Sequence, residues 1–266
     1  MTEEEPVPPD RPPGPLLVVT GAELAVLERA HLRGLAGAGE QEAREPGDTP
    51  EARPLAEARR SLLGRGLIDE DGHLGRSAPA DLAELLLDVR LAARALLVVE
   101  RIVAGHEHRA DLRILHLVPE GGVVQDVHPQ GLHGLDLHVD AADLVQAALA
   151  PVLPSGARAG RGAERHVDPA HPELVAAVLE QPGVLAELTL AGADGERVEA
   201  YLLAVGRAGC FLARRPQPPD RSPPDGQSPN PQPPDAQPEL AFTPVSPGDV
   251  QDLVTRWVQE TVHPGG

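Results

Sequence analysis

Residues 95–139 read ALLVVERIVAGHEHRADLRILHLVPEGGVVQDVHPQGLHGLDLHV, and their alternation of apolar runs and turns decides the fold. Runs rich in Val, Ile and Leu are typical of strands, and the Gly- and Pro-containing pieces between them are typical of turns. Because connections of hairpin length leave no room for crossover helices, we expect an antiparallel sheet. The four predicted strands are Ala95–Val103, Asp111–Val118, Val123–His128 and Leu132–Val139.

The same plan recurs later in the chain. A helix over about 141–150 follows the fourth strand, because Asp140 stands where its side chain can cap a helix. In residues 171–262, Ser246-Pro-Gly-Asp249 takes the corresponding place before a final helix. We therefore predict an α+β fold with two quasi-repeated halves, each a helix, a four-stranded antiparallel sheet and a helix. The second half is predicted to contain the helix His171–Glu180 and the strands Val184–Leu190, Arg197–Val205, Gly209–Arg214 and Glu239–Val245.

Helices are also predicted before the first sheet. Thr20 and Glu23 have the spacing of a capping box, in which each side chain bonds the backbone amide of the other residue. Pro54 suits the first turn of a second helix, and Asp81 to about Leu91 has the leucine spacing of a third. The predicted organisation is a disordered N-terminus (1–15), the N-terminal helices with the first half (16–151), a linker (152–170), and the second half (171–262) with a Pro-rich disordered loop (216–238).

The charge of the chain excludes several classes of function. Its 266 residues carry a net charge of -18 at pH 7, and all 23 cationic side chains are Arg. Without lysine there is no P-loop lysine, no kinase strand lysine and no Schiff-base lysine. Since the excess of acids repels polyphosphate, neither nucleic acid nor an anionic membrane is an expected partner.

Cysteine content and hydropathy bear on the compartment. The single cysteine, Cys210, cannot form an intrachain disulfide, which fits a reducing compartment, so we expect a cytoplasmic protein. The N-terminus has neither the apolar run of a signal peptide nor an Arg-rich amphipathic pattern. The apolar runs are shorter than the ~20 residues of a membrane span, and we expect no membrane insertion.

Eleven histidines raise the question of a metal site. Strand alternation does not bring those of the first half together in an obvious way, so rim histidines are favoured, and a physiological metal stays open. His166 and Asp168 have the spacing of two ligands of an iron facial triad, but they lie in the predicted linker. The histidines considered in the first half are His106, His108, His116, His128, His133 and His138.

The sequence gives little support for a catalytic nucleophile or a phosphate-binding loop. Cys210 lies in an apolar strand, where a thiol usually acts as a small hydrophobe, and none of the six serines lies in a G-x-S-x-G elbow. The glycine-rich stretch 156–162 is not followed by Lys-Ser/Thr, so it is interpreted as a flexible linker, and Asp69–Asp71 as a solvated turn. We assign no catalytic, cofactor-binding or metal-binding residue, expect no cofactor and no enzymatic activity, and leave the partner-binding residues unknown.

One stretch supports an alternative. Residues 59–72, RRSLLGRGLIDEDG, resemble the end of a helix before the β-wing of winged-helix proteins. A recognition helix needs basic residues that face phosphates, whereas the surroundings here are acidic. The alternative function is a cytosolic transcriptional regulator or a metal-dependent enzyme that uses the histidine-bearing first half.

Two motifs make the chain resemble the EspG family of actinobacterial type VII (ESX) secretion-associated proteins. They are TGAELAVL at 20–27 and SLLGRGLIDEDGHL at 61–74, and with the two sheet-and-helix halves the resemblance covers about 16–262. It implies a quasi-two-fold α/β architecture and a non-enzymatic cytosolic chaperone or adaptor. Such a protein binds the helical tip of a PE/PPE-like or WxG-type secretion substrate and keeps it soluble until export.

The chain departs from the family pattern in two respects. It has a long Pro-rich insertion, and its strands are dominated by Leu and Val, with aromatic residues at only 2% of the chain. The identity of the substrate, the binding face and the oligomeric state therefore stay open. No functional residue of the family motif can be placed on this sequence.

Overall fold

Ten strands form one antiparallel sheet. The structure is a computed structural model and describes residues 14–36, 53–102, 110–168, 175, 178–180, 182–216 and 239–262. In chain order the strands are β1 (Leu17–Thr20), β2 (Ala95–Ile102), β3 (Ala110–Val118), β4 (Gly121–Val127), β5 (Leu132–His138), β6 (Arg165–Val167), β7 (Val184–Gly192), β8 (Arg197–Gly206), β9 (Gly209–Arg214) and β10 (Leu240–Val245). Hydrogen bonding places them in the order β1-β5-β4-β3-β2-β7-β8-β9-β10-β6.

The described residues also form five helices. The mixed α+β class and the antiparallel pairing are as predicted from the sequence. In this described part of the chain, no helix has both the length and the apolar character that a membrane span needs. The helices are α1 (Gly21–Ala36), α2 (Arg53–Gly64), α3 (Ala78–Leu91), α4 (Ala141–Leu149) and α5 (Pro247–Val262).

Side chains just before the helices determine where they begin. Thr20 and Glu23 form the predicted capping box of α1: the Thr20 amide donates to Glu23 Oε2 at 2.7 Å, and the Glu23 amide donates to Thr20 Oγ1 at 3.1 Å. Asp140 caps α4 by accepting from the Ala142 amide at 2.7 Å. These bonds satisfy amides that have no partner inside the helix, which is why the predicted starts of α1 and α4 are close to the observed ones. Before α5, the Ser246 amide likewise donates to Asp249 Oδ2 at 2.7 Å.

On both sides of the centre of the sheet, the strands follow one another in the same order. β2 and β7 pair antiparallel in the middle of the sheet, with Val98 opposite Thr189. From there β2–β5 extend in one direction and β7–β10 in the other, each as consecutive hairpins. A short strand then pairs with the last strand of each meander, β1 with β5 and β6 with β10. The eight predicted strands therefore lie in one continuous sheet, a point that the sequence left open.

The helices divide the interior into three cores. One core lies between the sheet and the pair α4 and α5, and it contains Leu97, Leu188 and Trp257. The second lies between the first half of the opposite face and α1–α3, with Leu27 and Leu86 in it. The third lies on that same opposite face in the second half, where residues of β8, β9 and β10 pack with the buried residues Val167, Val175 and Leu179.

Part of the segment predicted as a linker is fixed on the sheet. The Cys210 amide donates to the Arg158 carbonyl at 2.9 Å, and the Gly160 amide donates to the Val245 carbonyl at 2.8 Å. Farther along, 165–167 form β6. The glycine-rich stretch therefore carries backbone hydrogen bonds where the sequence indicated a flexible connection. Apart from residues 14, 15 and 216, the segments 1–15 and 216–238 that were predicted to be disordered lie outside the described residues, as does most of the predicted helix 171–180.

Candidate docking surface

Among the described residues, elements cover one face of the sheet at its ends but not in its middle. α1 and α3 pack on β3, β4 and β5, and the third core covers β8–β10. Between these layers five aliphatic side chains on β2, β3 and β4 are only half-buried, and none of them belongs to the three cores of the described structure. We call these residues the central strip: Leu96, Val98, Leu112, Ile114 and Val127.

Strand register makes the central strip continuous. Val98 lies opposite Ile114 on β3 and opposite Thr189 on β7, while Leu112 lies opposite Val127 on β4. Cross-strand partners in an antiparallel sheet point to the same side with Cβ atoms ~5 Å apart, so these side chains form one apolar surface. The intervening residues of β2, Leu97 and Val99, face the other way into the core beneath α4 and α5.

The strip ends in a charged group. Glu100 is exposed and lies directly opposite Leu112 on one side and Glu187 on the other. Glu187 Oε2 lies 2.9 Å from Arg215 Nη2. The surface therefore combines aliphatic side chains with a carboxylate at its end, an arrangement suited to binding and without a nucleophile or a ligand set for chemistry.

A row of polar side chains borders the strip beneath α3. His116 Nε2 lies 3.0 Å from Gln125 Oε1, and Gln125 Nε2 lies 2.8 Å from His133 Nδ1. Arg90 of α3 contacts the same His116 nitrogen at 3.4 Å and donates to Glu28 Oε1 at 2.7 Å. The register across β3, β4 and β5 thus brings together two histidines for which strand alternation alone indicated no convergence.

The environment keeps both histidines neutral. Burial, and then the nearby Arg90 charge, lower the pKa of His116 to about 4, although the hydrogen bond to Gln125 acts in the opposite direction. Burial and Arg90 also lower the pKa of His133. Gln125 bridges the two rings, so the row has the character of a buried hydrogen-bond network that positions the sheet against α3.

The other histidines considered in the sequence that the structure describes do not come together in a metal centre. His166 is exposed and lies between Glu164 (3.2 Å) and Glu239 (3.5 Å) at the β6 edge. His138 lies near Asp136 at 3.7 Å on the strand β5. His128 is exposed in the turn before β5, and His106 and His108 lie outside the described residues.

In the described residues, one group of three side chains has ligand atoms close enough for a metal ion: Asp69, Asp71 and His73. All three are exposed in the turn after α2. Arg59 donates to the Glu70 carbonyl in the same turn at 2.7 Å, so a guanidinium already binds the backbone of this turn. The turn is therefore held by an intramolecular cation, and it retains the interpretation of a solvated acidic turn.

Cys210 is buried, and both Arg59 of α2 and Arg65 directly after α2 form contacts within the protein. Cys210 is fully buried, and burial raises the pKa of its thiol, the opposite of what a nucleophile needs. Arg65 lies 3.5 Å from Glu23 Oε1 and donates to the Val18 carbonyl at 3.0 Å. Arg59 of α2 binds the following turn and Arg65 lies directly after α2, so two guanidinium groups of this region are held by contacts within the protein, which disfavours a phosphate-facing recognition helix.

A second concave surface lies between α4 and α5, with a volume of about 760 Å³. Its floor is apolar, with Val145 and Leu149, and its rim carries amides such as Gln146 and Gln259. No charged side chain lines it. Its hydroxyl groups, Ser155 and Thr255, have no acid or base beside them in the lining.

No protein-family model matches the sequence, and no curated protein matches it either. Among solved structures, one that matches is the type VII secretion system chaperone EspG5 of Mycobacterium tuberculosis, in complex with a PE25-PPE41 dimer. The match covers 94% of this chain and 98% of the other, with a TM-score of 0.49 and 12% sequence identity. The protein found is an EspG protein, and EspG is the family that the sequence motifs resemble. At this identity and TM-score, the likeness by itself assigns no function.

Proposed function

We propose that this protein is a non-enzymatic chaperone or adaptor that binds the apolar end of a helical partner at the central strip. The observation that carries the proposal is the strip itself, because Val98, Ile114 and their neighbours are only half-buried in the middle of a sheet and belong to none of its described cores. Contiguous exposed apolar surface on a strongly charged protein marks an interaction site.

The dimensions of the strip suit a helix end. The open region extends across β7, β2, β3 and β4, which is about 14 Å at the usual strand spacing of ~4.8 Å. An α-helix with its side chains is ~10–12 Å in diameter, so one helix end covers most of this width. α1 and α3 limit the region on one side, and the third core limits it on the other.

The kind of partner follows from the sequence resemblance. EspG proteins are chaperones of PE/PPE-type substrates, and the solved EspG5 structure contains a PE25-PPE41 dimer. We therefore propose a helical PE/PPE-like or WxG-type secretion substrate, held in the cytoplasm before export. The net charge of -18 supports this role, because it keeps the carrier soluble while an apolar surface is open.

We also propose that the chain consists of two repeated halves, 16–151 and 171–262. The strand order supports this, since β2–β5 and β7–β10 extend in opposite directions from one central pair and an extra short strand follows each. The capped helices α4 and α5, which follow β5 and β10, support it as well. In this arrangement the central strip lies next to the pseudo-symmetry axis.

A comparison of two matched variants tests the docking surface. Tagged wild-type protein, Val98→Asp and Leu85→Asp are purified from the native host, and co-purifying proteins are identified by mass spectrometry. Val98 is half-buried on the strip, whereas Leu85 is 45% exposed on α3, so both changes place an acid on an apolar surface position.

We expect the wild type and Leu85→Asp to retain the same helical secretion substrate, and Val98→Asp to lose it. Thermal unfolding of the three proteins checks that the variants are folded. Recovery of that substrate in equal amounts by Val98→Asp would exclude the central strip. If no helical PE/PPE-like or WxG-type protein is recovered with the wild type, the chaperone proposal is contradicted.

A further inference from the structure

The charge at the end of the central strip is not neutralised within the described protein. Glu100 forms no ion pair or hydrogen bond with any residue that the structure describes. Its sequence neighbour Arg101 points to the opposite face of the sheet and lies 3.9 Å from Asp111. Alternation along β2 therefore separates the nearest cation in the sequence from the Glu100 carboxylate.

The residue across from Glu100 has its own cation. Glu187 lies directly opposite on β7, and Arg215 forms a 2.9 Å ion pair with it. Thr189 Oγ1 donates to Glu187 Oε1 at 3.4 Å, which further occupies that carboxylate. Like charges directly opposite each other destabilise a sheet. Glu100 and Glu187 face each other, and Arg215 is paired with Glu187. The negative charge of Glu100 is therefore not balanced.

Docking on the strip would change the surroundings of Glu100. Val98 precedes it on the same face, and Leu112 lies opposite it on β3, so an occupant that covers these side chains also removes water from the carboxylate. A desolvated carboxylate without a partner is costly, and the cost is offset only by a cation or several hydrogen-bond donors.

We infer that the segment that docks on the central strip carries an Arg or Lys beside its apolar tip and places this cation against Glu100. This inference rests on the proposed function and specifies the partner by its charge. A purely apolar tip, or one flanked by acids, leaves Glu100 buried without a partner and binds more weakly. The carboxylate thus selects among helical partners of similar apolar character.

A selection experiment tests this without a known partner. The probe is a phage-displayed library of two-helix hairpins with randomised residues at the tip, selected in parallel on wild-type protein, Glu100→Gln and Glu84→Gln. Glu84 is exposed on α3, so its substitution removes the same charge away from the strip. Binders that no longer bind Val98→Asp are taken as strip binders and sequenced, and circular dichroism checks that each bait is folded.

Among strip binders, Arg and Lys at the tip should be at least about threefold more frequent on the wild type and Glu84→Gln than on Glu100→Gln. Equal frequencies on all three baits would overturn the role of Glu100 while leaving the docking surface intact. If the selected binders all tolerate Val98→Asp, the strip is not a docking surface, and both proposals fail together.

Discussion

The indole Nε1 of Trp257 donates a 2.7 Å hydrogen bond to Glu199 Oε2, which ties α5 to β8. Trp257 is 1% exposed, and its ring centroid lies 5.8 Å from that of Tyr201. Because a buried indole N–H needs an acceptor, this bond determines how the last helix is oriented on the sheet. Arg214 and Arg256 also contact Glu199, at 3.3 and 3.6 Å, but both are largely exposed and contribute little.

Replacement of Glu199 should therefore lower stability through the indole. Glu199→Ala leaves the buried N–H without a partner and should reduce the free energy of unfolding by about 2 kcal/mol, whereas Glu199→Gln keeps an acceptor oxygen and should cost less. The chain has one tryptophan, so its fluorescence during urea unfolding reports directly on this site. In the Trp257→Phe background, which has no tryptophan and whose unfolding is followed by circular dichroism instead, Glu199→Ala should lose most of its effect. An undiminished effect there would assign it to the other contacts of Glu199, which are Arg214, Arg256 and the Tyr201 hydroxyl at 3.4 Å.

Glu23 joins the capping box of α1 to α2. It is 6% exposed and accepts from Ser61 Oγ at 2.6 Å as well as from the Thr20 amide. Burial is the largest single influence and opposes ionisation, but the hydrogen bonds from Ser61 and Thr20 and the charge of Arg65 together keep the pKa of Glu23 below its usual value of 4.5.

The Ser61 bond should thus be pH-dependent. A folded-state pKa below the unfolded one stabilises the protein above pH 4.5, and the stabilisation is lost as the pH falls through the folded pKa. Ser61→Ala should cost about 2 kcal/mol at pH 7, the usual range for a hydrogen bond to a charged group. Its cost should shrink toward pH 3.5 in urea titrations at both pH values. A cost that does not change with pH would show that the bond does not depend on the ionised carboxylate.

His116 should make the protein less stable in mild acid. Its folded-state pKa of about 4 lies below the unfolded value of 6.5, so the unfolded chain binds the proton first as the pH falls. Stability contributed by the neutral ring is present above pH 6.5 and decreases down to about pH 4, by about 2 kcal/mol between pH 7 and pH 5. The groups that face the ring are Arg90, Glu28, Gln125 and His133.

His116→Leu removes this titration and should flatten the dependence of the urea midpoint on pH between 7 and 5. The variant is less stable at pH 7, because Gln125 and Arg90 lose a partner, but only the slope tests the histidine. His128→Leu, a change at an exposed position, serves as the control and should leave the slope unaltered. The same slope in His116→Leu as in the wild type would assign the acid sensitivity to other groups.

Gly209 is required by the close approach of residues 158–160 to β9. Its φ is +100°, and a Cβ at this position would lie 2.3 Å from the Ala159 carbonyl oxygen. Gly209→Ala should therefore cost at least about 2 kcal/mol, from the strained backbone and the clash together. Gly156→Ala is the matched control, since a Cβ there has no atom within 4 Å. Thermal unfolding that gives equal melting temperatures for the two variants would contradict the fixed position of this segment.

Local signals account for the elements that could be predicted. The strand predicted at 209–214 is the observed β9, and the other seven predicted strands end within about three residues of the observed ones. The caps at Thr20, Asp140 and Ser246 work because the bonds join residues two or three positions apart. β1 and β6 were not predicted as strands. With four and three residues they carry little signal of their own and are defined by pairing with β5 and β10.

The sequence by itself determined the α+β class, the hairpins, the helix starts and the absence of lysine chemistry, because each depends on residues close together in the chain or on composition. Alternation in a strand is local too, and in β2 it places Leu96 and Val98 on one face. Whether that face is covered was decided only by the tertiary structure. α1 and α3 pack on β3–β5 while the third core covers β8–β10, and the strip between them stays open because helix packing depends on contacts between residues far apart in the sequence.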